Sequence, residues 1–73
     1  MTIKPGSIVE ILGLGPEPLE PRHRDYFAPG TQHRVISYDP EFWEVELMNP
    51  DNNSEKPGDG ITFFSGEYKL VAE

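Results

Sequence analysis

The side chains of this 73-residue chain that could do chemistry are its histidines, serines and carboxylates, and their spacing matches no common catalytic or metal site. His23 and His33 are the only histidines and there is no cysteine, so a zinc site would need carboxylates at spacings that no known ligand pattern uses. The serines lack the sequence context of an activated nucleophile, and no two carboxylates carry the signature of an acid and base pair. The sequence therefore predicts no enzyme, no metal site and no cofactor.

Two segments begin like ligand-binding loops but lack the residues that such loops need. Gly13-Leu14-Gly15 follows a predicted strand, yet the third glycine of a dinucleotide fingerprint is missing and prolines follow where the helix should start. Residues 51–55 begin like a calcium loop, but the sixth position is Lys56 instead of glycine and the twelfth is Thr62 instead of glutamate. We interpret both segments as turns.

A binding role is easier to assign, and the first candidate is a long segment that we call the arm, residues 13–32. It is rich in proline and glycine and shows no apolar periodicity, so it is predicted to be a loop, and loops of this length usually carry binding or disorder. Leu19 and two aromatic residues could anchor it to the core or to a partner. Arginine and aromatic side chains contribute most of the energy at protein interfaces. The predicted binding residues of the arm are Arg22, Arg24, Tyr26 and Phe27; the alternative is that Tyr26 and Phe27 only cap the end of the domain.

The second candidate is a concentration of negative charge in residues 38–60. The whole chain has 13 acidic and 6 basic side chains, a net charge of −7 and a pI near 4.6, which disfavours nucleic-acid backbones and anionic membranes as direct partners. Residues 38–60 contain seven of the acidic side chains against one lysine, so a basic protein partner is favoured. The predicted binding residues here are Glu41, Glu44 and Glu46; the alternative is that Glu44 and Glu46 are only the solvated face of a strand.

The elements that must position these residues are short strands between turns. Apolar and acidic side chains alternate in residues 43–47, so Trp43, Val45 and Leu47 are predicted to lie on one face of a strand, residues 42–48. No window of the sequence shows the sustained 3.6-residue pattern of an amphipathic helix. Trp43, Phe63, Tyr68 and Leu70 are predicted to lie in the core, because so small a domain can spare few large apolar residues from its interior. The predicted strands are residues 7–12, 33–39, 42–48, 61–64 and 68–72.

These strands and turns predict a mostly β fold in a single domain, residues 1–73: a small bent antiparallel sheet or an SH3-like barrel of four to five strands with the long loop after the first. The segments KPGSIVEILG, YDPEFWEVEL and GITFFSGEYKLVAE resemble the opening strand, middle hairpin and closing strands of SH3-like barrels of the KOW and bacterial accessory-subunit type. KOW repeats have a glycine just before the strand that corresponds to Arg34-Val35-Ile36, and this chain has His33 at that position. The resemblance implies a binding module.

A second resemblance, in length, acidity and lack of cysteine, is to the small RNA-polymerase-binding regulators of Xanthomonas phages. It implies binding to the N-terminal region of the bacterial RNA polymerase β′ subunit, with altered initiation and termination and no contact at the active centre. The alternatives are an accessory subunit of a redox or photosynthetic complex and an acidic nucleic-acid mimic. No apolar signal segment or membrane span is found in the sequence, so we expect a cytoplasmic protein that is monomeric before it binds.

Overall fold

The computed structural model describes residues 2–13 and 20–73 and shows a five-stranded antiparallel sheet with one short helix. The predicted mostly β fold is confirmed in the form of a small open sheet. Its elements are β1 (Ile8–Ile11), α1 (Pro21–Tyr26), β2 (Gln32–Asp39), β3 (Glu44–Leu47), β4 (Ile61–Phe63) and β5 (Tyr68–Ala72). The strand order is β4-β3-β2-β1-β5, so β4 and β5 are the edge strands.

Strand β2 organises the sheet because its two halves pair with different neighbours. Its first half, Gln32 to Arg34, pairs with β1, whereas Val35 to Asp39 pair with β3. A register irregularity between Val35 and Ser37 marks the change of partner, and such bulges bend a strand and increase its twist. Both Val35 and Ile36 are buried, as expected where a strand changes the face that it turns to the core.

Two turns, one before β1 and one between β4 and β5, form because glycine supplies a left-handed backbone. In the turn of residues 4–7, which has Pro5 and Gly6 at its centre, the Ser7 amide donates to the Lys4 carbonyl at 3.0 Å and Gly6 has φ +96°. In the bend between β4 and β5 the Glu67 amide donates to the Phe64 carbonyl at 3.0 Å, and Gly66 has φ +95°. A positive φ at the third residue of such a turn favours glycine.

The arm departs from its prediction as a loop, because residues 21–26 form α1. Pro21 stands at the start of the helix, where its missing N–H is not needed, and the preceding Glu20 is extended, as a residue before proline prefers. Six residues are too few to show a 3.6-residue repeat, which is why the sequence pattern did not indicate this helix. Pro16, Pro18 and Leu19 of the arm, and Leu14 and Gly15 of the predicted glycine turn, lie outside the described residues.

The core lies between the sheet and the last turn of the arm. Phe27, directly after α1, is fully buried and its ring centroid lies 4.9 Å from that of Phe63 on β4. Phe63 and Tyr68 are buried as predicted, and Leu70 is partly buried. The prediction for Trp43 is wrong: β3 begins only at Glu44, and Trp43 lies in the preceding turn with 62% of its surface exposed. The buried cluster comprises Val9, Ile11, Phe27, Val35, Val45, Leu47, Phe63 and Tyr68.

Candidate functional site

The four predicted arm residues have different environments, and only some of them are available to a partner. Phe27 is fully buried, so it anchors the arm to the core, which is one of the two roles predicted for it, and it is not available to a partner. Tyr26 is partly exposed and packs edge-on against Phe27, with ring centroids 4.8 Å apart. Arg24 is exposed, and in the part of the chain that the structure describes no carboxylate lies within ion-pair distance of it.

Arg22 is held by an ion-pair cluster that the sequence did not indicate. Its Nε and Nη2 atoms donate to the two carboxylate oxygens of Asp51 at 2.9 and 2.8 Å, and Nη1 contacts Glu20 at 2.6 Å. The buried His23 also contacts Asp51, with Nε2 3.0 Å from Oδ2. The hydrogen bonds from Arg22 and His23 lower the pKa of Asp51 to about 2, against a smaller opposing effect of burial, so the carboxylate is ionised at neutral pH.

This cluster fixes α1 to the connection between β3 and β4. A histidine beside an aspartate is also part of a catalytic triad, but among the described residues no serine or threonine hydroxyl bonds to His23. The sequence could not indicate the cluster, because Asp51 lies 28 or 29 positions from its two partners in a segment that reads as turn chemistry. The arrangement is that of a structural clamp.

Glu46, one of the three predicted acidic binding residues, is bonded within the protein. Its carboxylate accepts hydrogen bonds from the Ser37 hydroxyl and from the backbone amides of Gly58 and Gly60, each at 2.8 Å. Burial acts to raise its pKa, but these three hydrogen bonds together hold the pKa below its usual range. Glu46 therefore shapes the loop before β4 and is poorly placed to contact a partner.

Glu41 lies at a different place, on the connection between β2 and β3, and Glu44 is the first residue of β3. We call residues 39–44 the tip. Asp39 accepts a hydrogen bond from the Glu41 amide at 3.0 Å, and Pro40 fixes one backbone angle between them. Glu41 is exposed and Glu44 partly so, which leaves both carboxylates within reach of a partner.

The tip carries two exposed aromatic side chains on a constrained backbone. Phe42 is 57% and Trp43 62% exposed, and Trp43 has a left-handed backbone with φ +49°, which is uncommon for a bulky residue. The Tyr68 hydroxyl donates to the Trp43 carbonyl at 2.6 Å and so attaches the turn to β5. Strained residues of this kind persist only where the surrounding structure holds them, and they are concentrated at functional sites.

A third exposed aromatic residue extends the apolar surface near the tip. Phe64 follows β4 and is 48% exposed. Because Val45 pairs with Phe63, the same register places Phe64 opposite Glu44, at the end of the sheet that carries the tip. The sequence did not predict this group of three exposed aromatic residues, because the alternating pattern placed Phe42 and Trp43 in a regular strand.

The structure does not bring the arm and the acidic residues of the tip together. The arm returns to the sheet at the start of β2, whereas the tip follows its end, and eight strand residues span about 23 Å. The molecule thus presents a clamped, partly basic helix at one end and an aromatic, acidic turn at the other. The tip is the better candidate for a docking surface.

Neither a group of three metal-ligating side chains nor a membrane-spanning helix is found among the described residues. Within residues 2–13 and 20–73, no three histidine or acidic side chains are grouped so that they could hold a metal ion. No helix in these ranges is long and apolar enough to cross a membrane.

No protein-family model matches the chain, and no curated protein or solved structure matches it either.

Proposed function

We propose that this protein is a non-enzymatic protein-interaction module that docks, through its tip, on a basic protein surface with an apolar depression. The observation that supports this most is the pair Phe42 and Trp43, each more than half exposed on a turn whose backbone is strained and fixed by Tyr68. Asp39, Glu41 and Glu44 surround this pair with negative charge.

The composition and rigidity of the tip suit an interface. Tryptophan is among the residues that contribute most to binding energy when a partner buries them. A turn already fixed in one conformation loses little entropy on binding, which increases affinity. The acidic residues around the aromatics add attraction to a basic partner and increase the rate of association.

For the identity of the partner we propose bacterial RNA polymerase, at the N-terminal region of its β′ subunit. The support is the resemblance in length, acidity and lack of cysteine to small phage regulators. In this proposal the protein acts in the cytoplasm as a phage-type regulator, altering initiation and termination from the polymerase surface. Nucleic-acid mimicry has less support, because the carboxylates of Glu46 and Asp51 are bonded internally and are not displayed like phosphates.

The substitution Trp43→Gly tests the docking role of the tip. It removes the exposed indole and also relieves the positive φ, which glycine adopts freely. We expect a loss of affinity of at least about tenfold, in line with the loss of an interface hot spot, while thermal stability is retained. The measurement is binding of purified RNA polymerase and of its isolated β′ N-terminal region to the immobilised protein, with capture from bacterial lysate in parallel.

The control is Val71→Ser, which removes an exposed apolar side chain from the edge strand β5, three residues after the Tyr68 that contacts the tip. Polymerase binding that Trp43→Gly abolishes and Val71→Ser preserves would support both parts of the proposal. Tip-dependent capture of another basic protein, without polymerase, would refute the named partner and retain the docking surface. Equal binding by both variants would refute the docking role.

A further inference from the structure

A cleft at the other end of the molecule is lined by three separate parts of the chain. Its volume is about 150 Å³, and it lies where α1, the start of β2 and the connection between β3 and β4 meet. Engineered protein cavities of about this size admit a molecule as large as benzene. The lining residues are Tyr26, Gln32, His33, Arg34, Met48 and Glu55.

One side of the cleft is aromatic and uncharged. The rings of Tyr26 and His33 lie 4.9 Å apart at a tilt of 46°, and His33 also packs against the buried Phe27. Burial lowers the pKa of His33, opposed in part by a hydrogen bond with the Tyr26 backbone, so the imidazole is neutral at pH 7. The Thr31 hydroxyl donates to the Ala28 carbonyl at 2.6 Å, and its oxygen lies 2.9 Å from His33 Nε2.

The rim of the cleft carries one weak ion pair. Arg34 Nη1 lies 3.4 Å from Glu55 Oε1, and about two thirds of each side chain is exposed. Exposed pairs of this kind contribute little free energy, so an incoming cation can replace Arg34 at Glu55 at small cost. An incoming anion would have to use Arg34 instead, against the net charge of −7 of the whole chain.

We propose that this cleft binds an arginine side chain of a protein partner, with the guanidinium against the Tyr26 ring and bonded to Glu55. The planar guanidinium stacks on aromatic rings and pairs with carboxylates through two parallel hydrogen bonds. The methylene part of the side chain contacts Met48. This site is separate from the tip, and its test needs no partner protein.

The test is an NMR titration of the protein with N-acetyl-arginine amide, following the His33 ring and the backbone amides of Gln32 and Met48. We expect saturable shifts in the millimolar range at these residues. Arg34→Gln should tighten binding by about two- to fivefold, because it releases Glu55 from its exposed ion pair. Glu55→Gln should weaken binding by at least a similar factor.

The matched control is Arg24→Gln, which removes the same charge from α1 at a residue that does not line the cleft. If tightening is only a response to net charge, Arg24→Gln will tighten binding as much as Arg34→Gln, and the site is refuted. Weaker binding in Arg34→Gln, or preferred binding of N-acetyl-aspartate amide, would show an anion site and refute the proposal. Shifts spread over all the acidic residues would refute it as well.

Discussion

At the scale of single residues, Glu44 and Glu46 illustrate how identical side chains on one strand have different roles. They alternate with Val45 and Leu47 on β3, so the sequence pattern treats them alike. The structure differs because Gly58 and Gly60, from a segment far along the chain, present their amides to Glu46 alone. Glu44 stays partly exposed beside the aromatic residues of the tip.

Gly60 belongs to this arrangement for a steric reason, and Gly60→Ala tests it. A Cβ at this position would lie 2.7 Å from Glu46 Cγ and would clash with the Leu47 carbonyl oxygen. We expect a loss of about 1–3 kcal/mol in the free energy of unfolding, as for other overpacked sites. The measurement is chemical denaturation.

The control for this prediction is Gly13→Ala, where an added Cβ meets no atom of the described residues within 4 Å. That variant should be neutral or slightly stabilising, because alanine restricts the unfolded chain. Equal stability of the two variants would contradict the close approach of Gly60 to β3.

At the scale of elements, the strands could be predicted and the helix could not. Glycine and proline turns bound β1, β4 and β5, and these local signals do not depend on the rest of the fold. Helix α1 depends on contacts that are distant in sequence, those of His23 with Asp51 and of Phe27 with Phe63. The length of β3 was overestimated because Trp43 fits an alternating pattern while its backbone turns out of the strand.

The same substitution, phenylalanine to alanine, should affect stability very differently at the buried Phe27 and at the exposed Phe42. Phe27→Ala should cost about 3–5 kcal/mol, because it leaves a cavity under the arm. A domain of this length has a total stability of about 4–11 kcal/mol, so this loss is a large fraction of the total and the melting temperature should fall markedly. Circular dichroism during thermal unfolding is the measurement.

Phe42→Ala is the matched control, since it removes the same ring from a side chain that is 57% exposed. Its effect on stability should be within about 1 kcal/mol, like most surface substitutions. A small effect of Phe27→Ala would show that the arm folds independently of the sheet.

At the scale of the whole molecule, some carboxylates are bonded within the protein and others are available to a partner. Asp51 and Glu46 are bonded within the protein, whereas Glu41 and Glu44 remain available at the tip. Composition predicted a basic partner but could not indicate which carboxylates are free to face one, because that depends on pairing between distant segments.

Charge reversal at the tip should therefore affect association with the partner more than charge reversal elsewhere. We expect Glu41→Lys to slow association several-fold at low salt, with the difference shrinking as salt screens the charges. Asp25→Lys makes the same change in charge on α1, at the other end of β2, and should have a smaller effect. Association rates by surface plasmon resonance at two salt concentrations test this, and equal slowing by both variants would contradict steering by the tip.

The strand order also has a consequence for the sequence of events during folding. The β2–β3 hairpin that carries the tip joins residues close in the chain, whereas Ile8 of β1 pairs with Ala72 of β5, almost the whole chain apart. Closing so long a loop costs entropy before any contact compensates for it, so pairings of this kind form slowly. The hairpin can therefore be structured in the transition state for folding, while the seam between the first and last strands forms afterwards and opens first.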